Sequence, residues 1–246
     1  MIRVRESKLE IPANRVIVHS QKAPDYRAEY SGSAYFASRL PYDPAREVLW
    51  PVLCRYLERD MPQQAAVLEL GGGYCHFINN IRASSKEVVD LAPFLTQYAG
   101  KDVRAHVRSC TELDVFDPES FDIVFASNLF EHLTREELDR TLIGIHRILR
   151  AGGKLMVIQP NFKYCYKHYF DDYTHVQIFT HVGLADLLRT RGLTPEKVIA
   201  RFLPFSLKGG PKWPWLLKCY LRSPFKPMAA QMYIVARKGP LNDGGQ

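Results

Sequence analysis

The sequence predicts an α/β fold with a doubly wound, mostly parallel sheet, and three observations predict it. Short apolar runs recur between residues 60 and 160, separated by stretches whose apolar residues follow helical spacing. The first run, Ala65–Leu70 (AAVLEL), leads into the glycine turn Gly71-Gly72-Gly73. The second run ends in an acid, Asp90. Runs this rich in apolar residues suit strands buried on both faces, as parallel strands covered by helices are.

Composition narrows the field. With 246 residues, 46% hydrophobic and 24% charged, the chain can bury a full core, and disorder as the overall state is excluded. The 15 glycines and 16 prolines are ordinary counts, which excludes a collagen-like chain. Lys and Arg outnumber Asp and Glu by 33 to 26, a net +7 that suits a solvated basic surface, an anionic substrate, a membrane surface or nucleic acid. The cysteines at 54, 75, 110, 165 and 219 are odd in number, widely spaced and without a C-x-x-C pair. This argues against a disulfide framework or a zinc cage and fits a reducing cytoplasm. The charged opening MIRVRESKLEIPANR lacks the apolar core of a signal peptide, and no apolar run reaches the roughly 18 residues of a spanning helix. The expected localisation is cytoplasmic.

In chain order, residues 1–45 carry Tyr26, Tyr30, Tyr35, Phe36 and Tyr42 and read as an irregular or helical lead-in. Residues 44–59 place Val48, Leu49, Val52, Leu53 and Leu57 at helical spacing, with Pro51 at a kink or early turn. The strands are Ala65–Leu70, Glu87–Leu91 (EVVDL), Val103–Val107, Phe121–Ala126 and Lys154–Gln159. A helix spans Arg135–Arg150. Thr134 and Glu137 form its capping box, Leu138, Leu142, Ile145 and Leu149 share one face, and Gly152-Gly153 stop it. A second helix covers about Val182–Arg191, after Thr180 and before Gly192, and Gln231–Arg237 alternates like a last strand. One domain over 1–246 is expected, with a helical cap at 1–59, a cofactor-binding core at 60–200, and a basic-aromatic segment with the last strand at 201–246. In such sheets the ligand sits outside the carboxyl ends of the strands.

The glycine loop selects the ligand class. A dinucleotide fingerprint, G-x-G-x-x-G, needs a glycine where His76 stands, and Glu69 opposes a phosphate. Both observations count against a nicotinamide dehydrogenase. Asp90 is placed to accept ribose hydroxyls. A nucleoside with a cation and no phosphate suits both acids, and S-adenosylmethionine has a ribose, a sulfonium and an ammonium group.

Over residues 60–200 the chain resembles the class I S-adenosylmethionine-dependent methyltransferases. VLELGGGYCHF is similar to their first motif, EVVDL to the strand with the following acid, SFDIVFASNLFEHL (120–133) to the fourth-strand motif, and ILRAGGKLMVIQPN (148–161) to the helix-turn-strand after it. Cys75 stands where many members have a third glycine. Ser109-Cys110-Thr111 stands where many have an acid that reads the adenine amino group. The resemblance implies a Rossmann-like methyltransferase fold with strand order 3-2-1-4-5-7-6, its last strand reversed. It also implies S-adenosylmethionine as cofactor, held by Glu69, Gly71, Gly72, Gly73, Asp90, Leu91, Cys110, Thr111, Asn128 and Leu129. More narrowly, GGYCHFINN, FASNLFEHL, QPNFKYCYKHYFDDYTHV and RFLPFSLKG resemble bacterial methyltransferases found beside glycosyltransferases in surface-polysaccharide pathways. That implies a sugar or glycolipid hydroxyl as acceptor.

Methyl transfer from a sulfonium is an in-line displacement, and an oxygen nucleophile usually also needs its proton removed. His132, at the end of the fourth strand, reads as a general base or as a polar residue orienting its loop. Glu131 reads equally as a residue starting a helix. The aromatic, acid- and histidine-rich loop after Asn161 reads as a substrate lid. There Asp172 and His175 form a candidate acid–imidazole pair, and Asn161, Tyr164, His168 and Tyr173 are candidate substrate contacts. No metal site is expected, because His168, Asp171, Asp172 and His175 are one local cluster without clear ligand geometry. Tyr35 and Arg39 precede the core, either closing over the cofactor carboxylate or packing a helix. Lys208–Lys226 mixes Trp213, Trp215 and Tyr220 with basic residues, and reads as a packed helix or a peripheral membrane contact with a lipid-linked substrate. Two rival readings are RNA methylation, disfavoured because Ser127-Asn128-Leu129-Phe130 lacks the [DN]-P-P-[YF] and Pro-Cys motifs of base methylases, and a non-catalytic binding module on the same fold.

Overall fold

The computed structural model describes residues 40–205 and 212–240. Within them lies a seven-stranded sheet, ordered β3-β2-β1-β4-β5-β7-β6. Its strands are β1 (Ala66–Leu70), β2 (Ser85–Asp90), β3 (Val103–Val107), β4 (Phe121–Ser127), β5 (Leu149–Pro160), β6 (Leu193–Pro204) and β7 (Ala229–Lys238). The pairs β1–β2, β1–β4, β2–β3 and β4–β5 are parallel, whereas β7 runs antiparallel to both β5 and β6. Strand order and the reversed last strand are those the resemblance implies.

Every residue of β1 is buried, Glu69 included, as expected for a largely apolar strand covered on both faces. One core layer joins Leu68, Leu70, Val124, Leu155 and Ile234 to the apolar face of α4 (Arg135–Ile148). On the other face Val67, Phe77, Phe125 and Met156 pack with Leu53 and Leu57 of α1 (Pro44–Leu57). The capping box of α4 forms as expected: Glu137 N–H donates to Thr134 Oγ1 and Thr134 N–H to Glu137 Oε2. The helix ends at Ile148, and β5 starts at Leu149, before the glycines expected to stop the helix.

Strand β6 is the element the apolar runs do not disclose. Pro195, Glu196 and Lys197 interrupt its pattern, and it lies at the sheet edge, where a proline costs no ladder bond on the open side. Three short helices also form: α2 (His76–Asn80), α3 (Leu95–Tyr98) and α5 (Phe162–Cys165). Two longer ones follow, α6 (His181–Thr190) and α7 (Pro214–Arg222). Leu217 and Leu221 of α7 are buried with Leu49 and Leu53 of α1 in the same core layer. No helix among the described residues is long and apolar enough to cross a membrane. Tyr26, Tyr35 and Arg39 lie outside the described residues.

Candidate functional site

The site begins at the carboxyl end of β1. Gly71 and Gly73 take positive φ values, +71° and +51°, which lets the chain turn at once from strand to α2. Gly72 is needed for closeness: a Cβ there would lie 2.2 Å from Val88 Cγ2. The Gly71 and Gly72 N–H groups donate to the Val89 carbonyl, fastening the loop to β2. Cys75 has φ +58°, so it keeps the left-handed conformation that a glycine would adopt freely. For a residue with a Cβ that conformation costs roughly 1–2 kcal/mol.

Both acids brace this loop. Glu69 is 4% exposed, and its Oε2 accepts from the Ile78 N–H at 3.0 Å. Burial holds its carboxyl well above the usual range. Asp90 Oδ2 accepts from the Gly73 N–H at 2.7 Å, and its Oδ1 from the Ala92 N–H at 2.7 Å. Burial raises its carboxyl too, against the opposing pull of these backbone bonds. Each carboxylate oxygen has a second lone pair, so Asp90 can hold the loop and still accept from a ribose.

The other residues expected at the cofactor line the same edge. Leu91 follows β2 and is half-buried. Beyond β3, Ser109 and Thr111 join hydroxyls at 2.8 Å, at the place where many members of the resembled family have an acid. Cys110 is buried against Thr141, and burial pushes its thiol up to about 12. After β4, Asn128 is exposed with φ +49°, and Leu129 packs on the space above Gly71, 3.1 Å from where a Cβ would stand. Sequence reading missed the aromatic rim. Tyr42, Trp50, Tyr74 and His76 pack ring against ring beside the loop, and the half-buried Arg46 guanidinium acts electrostatically on Tyr74. Arg46 lies in the first turn of α1, with no signal in its own segment linking it to a loop 25 residues later.

A second cluster stands beyond β4. Glu131 and His132 lie in the 3-10 turn Phe130–His132, and the lid returns His175 to them. The two imidazole rings are 4.9 Å apart. Glu131 is 1% exposed; its Oε2 accepts from Gln159 Nε2 at 2.8 Å, while its Oε1 has no hydrogen-bond partner among the described residues. Burial pushes its carboxyl up to about 8. Burial, reinforced by the neighbouring His175, brings His132 down to about 4 and keeps it neutral.

The lid orients these groups. Thr174 Oγ1 donates to Asp172 Oδ1 at 2.5 Å and lies 3.1 Å from His132 Nδ1, an arrangement satisfied when His132 carries its proton on Nδ1. The Thr174 carbonyl, 3.3 Å from the same nitrogen, supports that tautomer. His175 Nδ1 donates to the Tyr169 carbonyl at 2.6 Å. Asp172 therefore acts on two imidazoles, not on His175 alone, and its carboxyl is lowered by the Thr174 bonds and both rings against its own desolvation. Asn161 is fully buried, its Nδ2 donating to the Ala200 carbonyl and lying 3.1 Å from His181 Nδ1, so it ties β5 to β6 and α6. His168 faces solvent, paired with Asp171 at 3.1 Å. Tyr164 lies under the Arg201 guanidinium, and Tyr173 is exposed. Glu131 and Gln159 are the residues of this cluster that sequence reading did not assign to it.

Comparison with known proteins agrees with this geometry. Residues 68–157 match a family model described as a methyltransferase domain. No curated protein is similar in sequence. Among solved structures, a SAM-dependent methyltransferase from Archaeoglobus fulgidus superposes with TM-score 0.58 at 18% identity, over 87% of this chain and 98% of that one. The Burkholderia thailandensis 1,6-didemethyltoxoflavin-N1-methyltransferase, with bound 1,6-didemethyltoxoflavin and S-adenosylhomocysteine, gives 0.56 at 20% identity over 87% of each chain. The Haloferax volcanii complex of the Trm112 activator with a methyltransferase gives 0.60 at 18% identity, over 79% of this chain and 91% of that one. The fold is the Rossmann-like class I methyltransferase fold. The matched segment, residues 68–157, is similar to a methyltransferase domain, and the Burkholderia thailandensis enzyme of the same fold holds S-adenosylhomocysteine.

Proposed function

We propose that this methyltransferase moves the methyl group of S-adenosylmethionine to a hydroxyl of a small acceptor, a sugar or a glycolipid precursor. The observation that carries the reading is the Asp172–Thr174–His132 relay beside His175 and Glu131, beyond the β4 carboxyl end. The cofactor supplies an already activated methyl group. What the chain's residues add is positioning and a place for the hydroxyl proton. His132 is neutral, with Nε2 as its lone-pair nitrogen, and Asp172 steadies positive charge on the ring through the Thr174 hydroxyl. Glu69 and Asp90 shape the cofactor loop, and Asp90 holds the ribose.

A lipid-linked acceptor is supported by the exposed face of α7. Trp215, Lys218 and Arg222 follow one another at helical spacing there, and Trp213 stacks on Trp215 at 6.0 Å. The test is incubation of the purified protein with S-adenosylmethionine and a panel of sugar nucleotides, free sugars and lipid-linked sugars, with mass spectrometry of products. O-methylated sugar with matching S-adenosylhomocysteine is expected. Turnover confined to amines or RNA overturns the reading.

A further inference from the structure

We infer that Glu131, His132 and His175 form a binding site for one divalent first-row metal ion. One ligand atom from each lies within 4.8 Å of the other two. Two imidazoles and one carboxylate are the donor set of open, three-ligand metal sites, which leave positions for substrate oxygen or water.

Three features separate this set from a chance meeting of polar groups. First, Glu131 Oε1 is buried and accepts no hydrogen bond from any described residue. A buried carboxylate oxygen without a partner is costly, and a cation facing it removes that cost. His132 Nε2 is 4.0 Å from this oxygen, too far for a hydrogen bond and wide enough for an ion between them after closure of about 1 Å. Second, both imidazoles are fixed in the tautomer that a metal needs. His175 Nδ1 donates to the Tyr169 carbonyl, and His132 Nδ1 to Thr174, so each ring keeps its lone pair on Nε2. Metal-bound histidines characteristically pin their other nitrogen to a carbonyl or carboxylate in this way. Third, the carboxylate is held as well, by Gln159 Nε2 on its other oxygen. The residues come from the β4 turn and the lid, 43 positions apart between His132 and His175, so the site exists only when the lid is seated.

The inference deepens the proposed O-methyl transfer and rests on that reading only for its catalytic consequence. A hydroxyl on a divalent ion loses its proton at a lower pH than a free one, so coordination would replace His132 as the means of deprotonation. Binding itself is measured without turnover. Protein stripped with a chelator and titrated with Co²⁺ should take up one equivalent, with visible d–d absorption bands of nitrogen–oxygen ligation. Zn²⁺ should then displace Co²⁺ and raise the melting temperature. His175→Gln and Glu131→Gln should each weaken Co²⁺ binding at least 100-fold, whereas Cys219→Ser, which removes the exposed thiol, should leave it unchanged.

Two results overturn the site. One is wild-type protein that binds no Co²⁺ or Zn²⁺ at millimolar concentration. The other is binding that survives both Gln variants or disappears with Cys219→Ser. Stoichiometric Co²⁺ binding without any O-methylation would keep the site and reject the proposed acceptor. O-methylation unaffected by chelation, in protein that binds no metal, would keep the acceptor and reject the site.

Discussion

Asp60, just before β1, accepts from Lys197 Nζ at 2.8 Å and from the hydroxyl of the fully buried Tyr233 at 2.9 Å. Glu131, beyond β4, leaves one buried oxygen with no described donor. The contrast extends along the sheet. At the amino ends, Asp122 accepts from the Ala66 N–H and from Arg150, and Lys238 donates to the Leu149 carbonyl. At the carboxyl ends stand all five buried side-chain atoms without a described partner, on His76, Arg108, Glu131, Gln159 and Asn161. A folded chain satisfies its buried polar groups almost everywhere, and those left over need a reason. Here the amino ends are built for stability and the carboxyl ends for ligands. A polar depression of about 340 Å³, lined by Asp60, Lys154 and Arg237, lies at the paired end and has no such leftovers.

The contrast can be broken from either side. Asp90→Ala removes the acceptor of two loop N–H groups and should weaken S-adenosylhomocysteine binding by about 100-fold or more in calorimetry, since hydrogen bonds to charged groups contribute about 1.5–3 kcal/mol each. Asp60→Ala should do the reverse. It strands Lys197 and Tyr233, so urea unfolding should show a loss of about 2–3 kcal/mol while cofactor affinity stays within twofold. Glu131→Gln replaces a buried acid by a neutral amide of the same size. Stability should change by less than about 1 kcal/mol while methyl transfer falls at least tenfold. Equal losses of stability and turnover would remove the distinction between the two ends.

The smallest effect concerns pH. Burial brings His76 down from its ordinary 6.5 to about 4, so the unfolded chain takes up its proton first. The contribution of His76 is therefore complete above pH 6.5 and lost as pH falls from about 6.5 to about 4. His76→Phe keeps an aromatic ring beside Trp50 without the unpartnered nitrogen. Chemical unfolding across that range should show a flatter profile and stability at pH 7 equal to or slightly above the parent.

How much of this was legible follows from the range of the forces involved. Strands β1 to β5 and the loop after β1 declare themselves because burial on both faces writes an apolar run and a sharp turn writes glycines. The edge strand β6 escapes because one open side relaxes that demand, and Pro195, Glu196 and Lys197 fit there. The acids Glu69 and Asp90 were readable as a spacing, though not their bonds to Ile78, Gly73 and Ala92. Glu131 resembled a residue starting a helix, since its partner Gln159 lies 28 positions away. Likewise Asp172 lies three residues before the histidine expected to pair with it, yet Thr174 connects it to His132, 40 positions earlier.

The reversed strand β7 has a consequence for biosynthesis. It lies between β5 and β6 and is the strand that, among the described residues, gives β6 its ladder. While the ribosome is still making residues 229–238, the parallel strands can already stack, but β6 and one side of β5 still lack their β7 partner. From the completion of Pro204 until Lys238 is made, the nascent protein thus leaves two ribbons short of their β7 partner, a window in which chaperones or neighbouring polysomes compete for the same hydrogen bonds.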